Sequence, residues 1–382
     1  MSVELLEPIS ENSLNALDMS PTQVLGNRIL LHTEDSGIPS LSEIKLAIIG
    51  LTENRNAFFP TLIYDLDSFR KVFYNLYPGK WNIQIADLGN LPNGESVNDT
   101  YFALTEICKE LHKNNVIPII IGGSHDFIYP IYKSYSGENK LVNIVSVDNQ
   151  FDFSQDEELI SGRSYMSQII MEEPNHLHNF TNLGYQSFYI AQEEIDLMEK
   201  LYFEFIRLGK VLDNISQTEP YFRDADIVGI DMKVLSWTAT GSSNYSEANG
   251  IDSRNICSLA RYAGISDKVS SFGLFELPST PVFHSLLAQI VWYFIEGVSS
   301  RFEEYPLVLD DRFVKYIVTL SDRELIFHKS KNSSRWWIEL TNENYLDNKL
   351  RTTTLLPCTQ QDYNLACKDI LPERWLKAIK RG

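Results

Sequence analysis

"LVNIVSVDNQFD", Leu141 to Asp152, fixes the fold class more firmly than any other stretch. Up to Val147 it is apolar on both faces of an extended chain, which suits a strand covered on each side rather than one half open to water. It then breaks into a polar run with aspartates at Asp148 and Asp152 and a glutamine, Gln150, between them. Working outward, the same kind of apolar run recurs at "KLAIIGL" (45–51), "NIQIADLG" (82–89), "VIPIIIGG" (116–123), "LGYQSFYI" (183–190), "DIVGIDMKVL" (226–235) and "VSSFGLFEL" (269–277). Helical patterns fall between them, at 64–77, 97–114, 192–208, 253–263 and 282–298.

That alternation predicts an α/β fold: a three-layer α/β/α domain with a mainly parallel sheet, spanning 45–301. Residues 1–44 read as an N-terminal extension packed on it. Residues 302–382 read as a small α+β appendage, because "FVKYIVTLSDRELIFHKSKNSSRWWIEL" alternates apolar and polar residues around two turn-like gaps. Three antiparallel strands are expected there, followed by two short helices with Pro372 in the first turn of the second.

Bulk properties exclude some functions. A formal charge of −18 over 382 residues leaves no basic face for nucleic acid. The start, "MSVELLEPISENS", has no apolar signal segment. "VFHSLLAQIVWYFIEGV" reads as a buried helix, too short and too polar to enter a membrane. Cys108, Cys257, Cys358 and Cys367 form no C-x-x-C pair and read as buried free thiols, which places the chain in the cytoplasm. His176 and His178 lack acidic neighbours and read as a solvated turn; "RWWIEL" and "VWYFIEG" read as packing.

Ligands of open parallel sheets bind at the carboxyl ends of the strands. Polar residues gather there: His125 after Gly122-Gly123, Asp148 and Asp152, Asp231 with Lys233 two residues on, and Glu276. Each alone reads as a cap, a turn former or a structural histidine.

As an ordered set they resemble the ureohydrolase family (arginase, agmatinase, formimidoylglutamase), most of all formimidoylglutamase-like proteins. That family carries G-G-D-H-S, D-x-H-x-D, D-x-D-x-x-D-P and E-x-x-P on an α/β/α fold. Here "GGSHD" is similar through Gly122, Gly123 and His125, "DNQFD" through Asp148 and Asp152, "DMKVLSW" through Asp231 alone, and "ELP" through Glu276. "ATGSSNYSEANGID", with Asn249, resembles the family's glycine-containing loop, and "SGRSYM" resembles its S-G-N-x-H-G segment, with Tyr165 in place of the histidine.

The resemblance implies two Mn2+ ions bridged by hydroxide, a pair that lowers the pKa of the bridging water. It implies that His125, Asp148, Asp152 and Asp231 hold one ion. The other ion needs two further ligands, and at those places stand Gln150 and Lys233. A lysine ammonium beside Asp148 and Asp231 disfavours a second cation.

The expectation is therefore an arginase-superfamily, formimidoylglutamase-like protein with a degenerate two-metal centre, in a binding, structural or regulatory role. It would carry one Mn2+ or other divalent ion per chain, or none. The alternative is an active metal-dependent hydrolase of a linear amidine or formimino C–N bond, of formimidoylglutamase, agmatinase or arginase type. Glu276, Tyr165 and Asn249 are its substrate-cleft candidates. The partner is expected to be a small cationic amidine-type ligand or a protein, and the resemblance implies self-association into a homo-oligomer.

Overall fold

The computed structural model describes residues 2–15, 17, 20–58, 64–137, 141–154, 160–244, 247–305, 308–321, 323–340 and 354–381. Tyr245 and Ser246 of the glycine-containing loop, Asp322 of the first C-terminal turn, and residues 341–353 lie outside them.

The main sheet contains β1 (Leu30–Leu31), β2 (Leu46–Leu51), β3 (Ile85–Leu91), β4 (Ile117–Gly122), β5 (Val142–Val147), β6 (Leu177–Tyr185), β7 (Glu204–Arg207), β8 (Ile227–Asp231) and β9 (Ser271–Phe275). Their order across the sheet is β1-β3-β2-β4-β9-β8-β5-β6-β7, and neighbours run parallel throughout. The four strands whose ends carry the candidate residues, β4, β9, β8 and β5, are thus consecutive in space although scattered in sequence.

Alternation explains the layers. Ile119 and Ile121 of β4 join one core with the helices Leu66–Tyr74, Ser253–Gly264 and Pro281–Ser299. Ile120, between them, joins the opposite core with the helices Val97–Lys113, Ile128–Lys133 and Tyr165–Met171. A β-branched run feeding both cores is what an all-parallel sheet requires. The helix Val97–Lys113 starts at a capping box, in which Ser96 and Asp99 satisfy each other's backbone N–H.

Several expectations need correction. β6 begins at Leu177, so His178 belongs to a strand and not to a solvated turn; the carbonyl of His176 accepts from Val142 N at 2.8 Å. The pattern read as one helix over 192–208 contains the helix Gln192–Lys200, then β7, then the start of the helix Leu208–Asp213. Tyr202, at φ +54°, breaks it. The helix Pro281–Ser299 is long and apolar enough to cross a membrane by length and composition, and 61% of its most apolar window is buried in the protein. Cys367 is exposed, whereas the other cysteines are buried.

The C-terminal region forms an antiparallel sheet of β10 (Phe313–Thr319), β11 (Glu324–Ser330), β12 (Trp336–Leu340) and β13 (Thr354–Cys358), one strand more than the sequence pattern suggested. The helices Gln360–Ala366 and Glu373–Arg381 follow. Arg223 pins this region to the main sheet's helices. It donates to the carbonyls of Trp336 and Cys358 at 2.9 Å each and pairs with Glu219 at 3.0 Å.

Candidate metal centre

Glycines bring the site together. Gly122 and Gly123, at φ +96° and +77°, turn the chain out of β4 in a region that side chains avoid. A Cβ on Gly122 would run into the carbonyl oxygen of Leu51. The 3-10 turn His125–Phe127 that follows carries the imidazole into the interior. A Cβ on Gly229 of β8 would crowd Ile128 and approach His125 Nε2 at 3.4 Å, so its absence leaves room for the ring. Two acidic residues, Asp152 at φ +59° and Glu276 at φ +55°, hold left-handed backbone conformations. Strain of this kind, worth roughly 1–3 kcal/mol at each residue, gathers at sites with a task other than stability.

His125 Nδ1 stands 3.1 Å from Asp148 Oδ2, 3.0 Å from Asp152 Oδ2 and 3.5 Å from Asp231 Oδ2. All four side chains are buried. Donor atoms held at about 2.1 Å from one small divalent ion lie roughly 3.0–3.4 Å apart for right-angle to tetrahedral geometry. The distances from Nδ1 to Asp148 and Asp152 fall in that range, and the one to Asp231 lies just beyond it. Ligand atoms of His125, Asp148 and Asp152 all fall within 4.8 Å of one another. Asp231, the fourth expected ligand, is shared: its Oδ2 lies 3.0 Å from Lys233 Nζ.

A single N–H serves a single acceptor well, and Asp152 Oδ2 takes it at 3.0 Å. Asp148 Oδ2 and Asp152 Oδ1 are then buried without a well-aimed hydrogen bond among the described residues, and Asp231 Oδ2 is met only by the Lys233 ammonium. Such oxygens cost about 1–3 kcal/mol apiece unless a cation or water meets them. The donor set therefore fits one divalent ion of Mn2+ type.

Electrostatics leads to the same place. Burial works against a charged His125, yet its hydrogen bonds to Asp148 and Asp152 and the charges of Asp148 and Asp231 carry its pKa up to about 10. Burial also pushes Asp148 upward, but the His125 hydrogen bond and the Lys233 charge hold it below the usual carboxylate range. Asp152 is driven well above that range by burial and by the Asp148 charge. Asp231 is raised by burial and Asp148 against the opposing pull of Lys233. Burial and the Asp231 charge lift Glu276 to about 7. Lys233 stays charged: burial lowers its pKa, but Asp231 and the other carboxylates more than reverse that. Four carboxylates face two cationic groups, so without an ion the cluster retains protons.

The remaining sequence candidates fall into place unevenly. Lys233 lies in the short turn Met232–Val234 rather than two residues along a strand, and its N–H donates to Asp231 Oδ1 at 2.7 Å. Gln150 is turned away, its amide donating to the carbonyl of Tyr189 at 3.3 Å. Tyr165 is fully buried, with its hydroxyl 3.5 Å from His125 Nε2, so it backs the imidazole instead of lining an open cleft. Asn249 is exposed, and its carbonyl accepts from Gln186 Nε2 at 3.1 Å. Glu276 does reach the cluster, accepting from His125 N at 3.4 Å. Phe58, whose N–H donates to Glu276 across 218 residues of chain, escaped the sequence reading, and no spacing signal could have found it.

Comparison with known proteins gives one consistent picture. The model of the arginase family matches residues 63–289. A formimidoylglutamase from a Geobacillus species is 24% identical over 214 residues, covering 50% of this chain and 62% of the relative's own length. Among solved structures, a Trypanosoma cruzi formiminoglutamase crystallised with Mn2+ superposes with a TM-score of 0.60 at 14% identity, over 74% of this chain and 99% of that one. The formimidoylglutamase of Bacillus subtilis gives 0.59 at 12% identity, over 71% and 94%. The agmatine ureohydrolase of Thermoplasma volcanium gives 0.57 at 18%, over 78% and 100%.

Proposed function

The chain belongs to the arginase family, and from that premise we propose that it is a formimidoylglutamase-like member with a one-cation site in place of the two-ion centre. His125, Asp148 and Asp152 would hold the cation, with Asp231 as a shared ligand. A bound divalent cation would neutralise the carboxylates and acidify a water attached to it. The observation that carries this reading is Lys233 Nζ at 3.0 Å from Asp231 Oδ2. A buried ammonium beside that carboxylate already supplies one positive charge and repels a second ion there. Gln150 adds little to a second site, because its neutral carbonyl oxygen is a weak ligand and its side-chain N–H is tied to the carbonyl of Tyr189. The role we assign is binding or regulation rather than two-metal hydrolysis.

A second reading is supported by Glu276, which touches the His125 amide from within the same cluster. Its carboxylate suits the cationic carbon of a linear amidine or formimino group, and a single ion would then serve C–N hydrolysis.

The deciding experiment is metal content per chain by mass spectrometry, after dialysis against Mn2+ and removal of free ion. It is paired with turnover of formiminoglutamate, agmatine and arginine. One ion and no turnover is the expected result. Two ions per chain would sink the proposal, and turnover at one ion would move the reading to hydrolysis. The double variant Q150H/K233D is expected to take up one ion more than the parent.

A further inference from the structure

Glu276 lies in the cluster, yet its carboxylate is already engaged. Phe58 N–H donates to both oxygens, at 3.0 and 3.2 Å. The Phe58 ring is the common neighbour of two cations. Lys233 Nζ lies 4.4 Å from its centroid, and the Arg163 guanidinium carbon lies 4.1 Å from it. Lys233 is buried and Arg163 is exposed, so the ring joins the interior of the cluster to the protein surface. Cation–π contacts of this kind are strongest where one partner is desolvated, as Lys233 is.

The chain leading to Phe58 is held step by step, and Ala57 N–H donates to the carbonyl of Asn54 at 3.0 Å. Arg55 donates to Glu53 at 2.8 Å and to the carbonyls of Gly94 and Glu95 at 2.9 and 2.8 Å. Asn56 donates to the carbonyl of Ile160 at 2.8 Å, and its own carbonyl accepts from Gly162 N at 3.1 Å. Gly162 packs against Glu276: a Cβ there would sit 3.1 Å from Oε1. The hydroxyl of Tyr64 is buried with no hydrogen-bond partner among the described residues, and the charges of Glu276 and Asp231 bear on it. Glu276 would offer an acceptor carboxylate to a small cationic ligand, were Phe58 not in place.

We propose that Phe58 is an autoinhibitory plug: its main-chain N–H occupies Glu276 and its ring covers Lys233, so a planar cation reaches Glu276 only when Phe58 withdraws. The plug rests on the reading of the cluster as a ligand site, and not on how many ions it holds.

The test is isothermal titration calorimetry of acetamidinium into the full chain stripped of metal with EDTA. F58A, which deletes the ring, and F58P, which deletes the N–H donor, are both expected to bind at least roughly tenfold more tightly than the parent, equivalent to about 1.4 kcal/mol. The gain is expected to vanish in F58A/E276Q. Equal affinity in the parent and the folded variants overturns the proposal, and so does a gain that survives E276Q. If thermal melts show F58A and F58P unfolded, F58L is measured under the same criteria, since it keeps the apolar bulk and loses only the cation–π contacts. No ion enters these titrations. A chain that takes up no Mn2+ and yet gains acetamidinium affinity on F58A keeps the plug and loses the one-cation reading. One that takes up Mn2+ without that gain does the reverse.

Discussion

Arg70 of the helix Leu66–Tyr74 and Asp87 of β3 form one buried charged cluster, and the His125 group forms another at the ends of β4, β5 and β8. In the first, Arg70 donates to Asp87 Oδ2 at 2.9 Å and Oδ1 at 3.1 Å, to the carbonyl of Gly89 at 3.0 Å, and to Asn90 Oδ1 at 2.9 Å. Tyr74 and Gly89 N donate to the same carboxylate at 2.8 and 3.0 Å. Both Asp87 oxygens are met, and no Arg70 or Asp87 atom is left over among the described residues. In the second, three carboxylate oxygens and the Lys233 ammonium lack a well-aimed hydrogen bond. A completed cluster is architecture. One left with open oxygens and protons to spare is poised for a ligand.

The comparison breaks most visibly at Arg70. Arg70→Ala leaves Asp87 charged and unpaired, and is expected to cost about 3–5 kcal/mol of unfolding free energy in urea titrations. A loss below about 1 kcal/mol would show that this pair is no more structural than the other.

Next in size is Asp148→Asn. Removing a ligand charge from the His125 cluster is expected to weaken Mn2+ by about 100-fold, or roughly 2.7 kcal/mol, in competition titrations against a chelator. An unchanged affinity would place any ion elsewhere.

The pH dependence has a definite sign. His125 has its folded pKa raised above its ordinary value, to about 10. Its contribution to the metal-free fold is therefore full below about pH 6.5 and fades as pH rises toward the folded value. An ion must displace at least that proton, so Mn2+ affinity is expected to rise by at least about tenfold per pH unit between about pH 6 and 8. A flat profile, read by the thermal shift between loaded and stripped protein, would mean that His125 is no ligand.

The smallest effect sharpens the comparison. Burial and the Asp148 charge raise the Asp152 pKa and so disfavour its ionised form. Asp152→Asn removes a carboxylate whose charge is already disfavoured, so the metal-free protein should change by about 1 kcal/mol or less and melt no lower. Its Mn2+-induced stabilisation should disappear. A large loss of apo stability would show an ionised Asp152 working as Asp87 does.

Much of this was legible in the sequence, and the reasons are local. The buried strands announce themselves because both faces must be apolar, and "GGSHD" and "DNQFD" lie at their ends in order. β1 and β7 were not legible, since two- and four-residue strands are too short to display a period and are made by the neighbours they pair with. The direction of a side chain was equally hidden. Gln150 stands where a ligand was expected, but points to Tyr189; Tyr165 stands where a cleft residue was expected, but lies behind His125. Phe58 bears on the cluster through a tertiary contact that no spacing encodes.

The helix Glu373–Arg381 has a consequence of another kind. β7 is the last strand of the main sheet, and this helix lies against the chain that leads into it. Arg381 donates to the carbonyl of Tyr202 at 2.8 Å, and Lys377 reaches the carbonyl of Phe203 at 3.4 Å and the carboxylate of Glu204 at 3.3 Å. A terminal strand stripped of its cover offers a template for strand addition by other chains. Proteolysis or a frameshift that removed these nine residues would leave the His125 cluster intact in composition. The shortened product would instead be prone to aggregate, and would be lost to quality control before any defect in ligand binding could be felt.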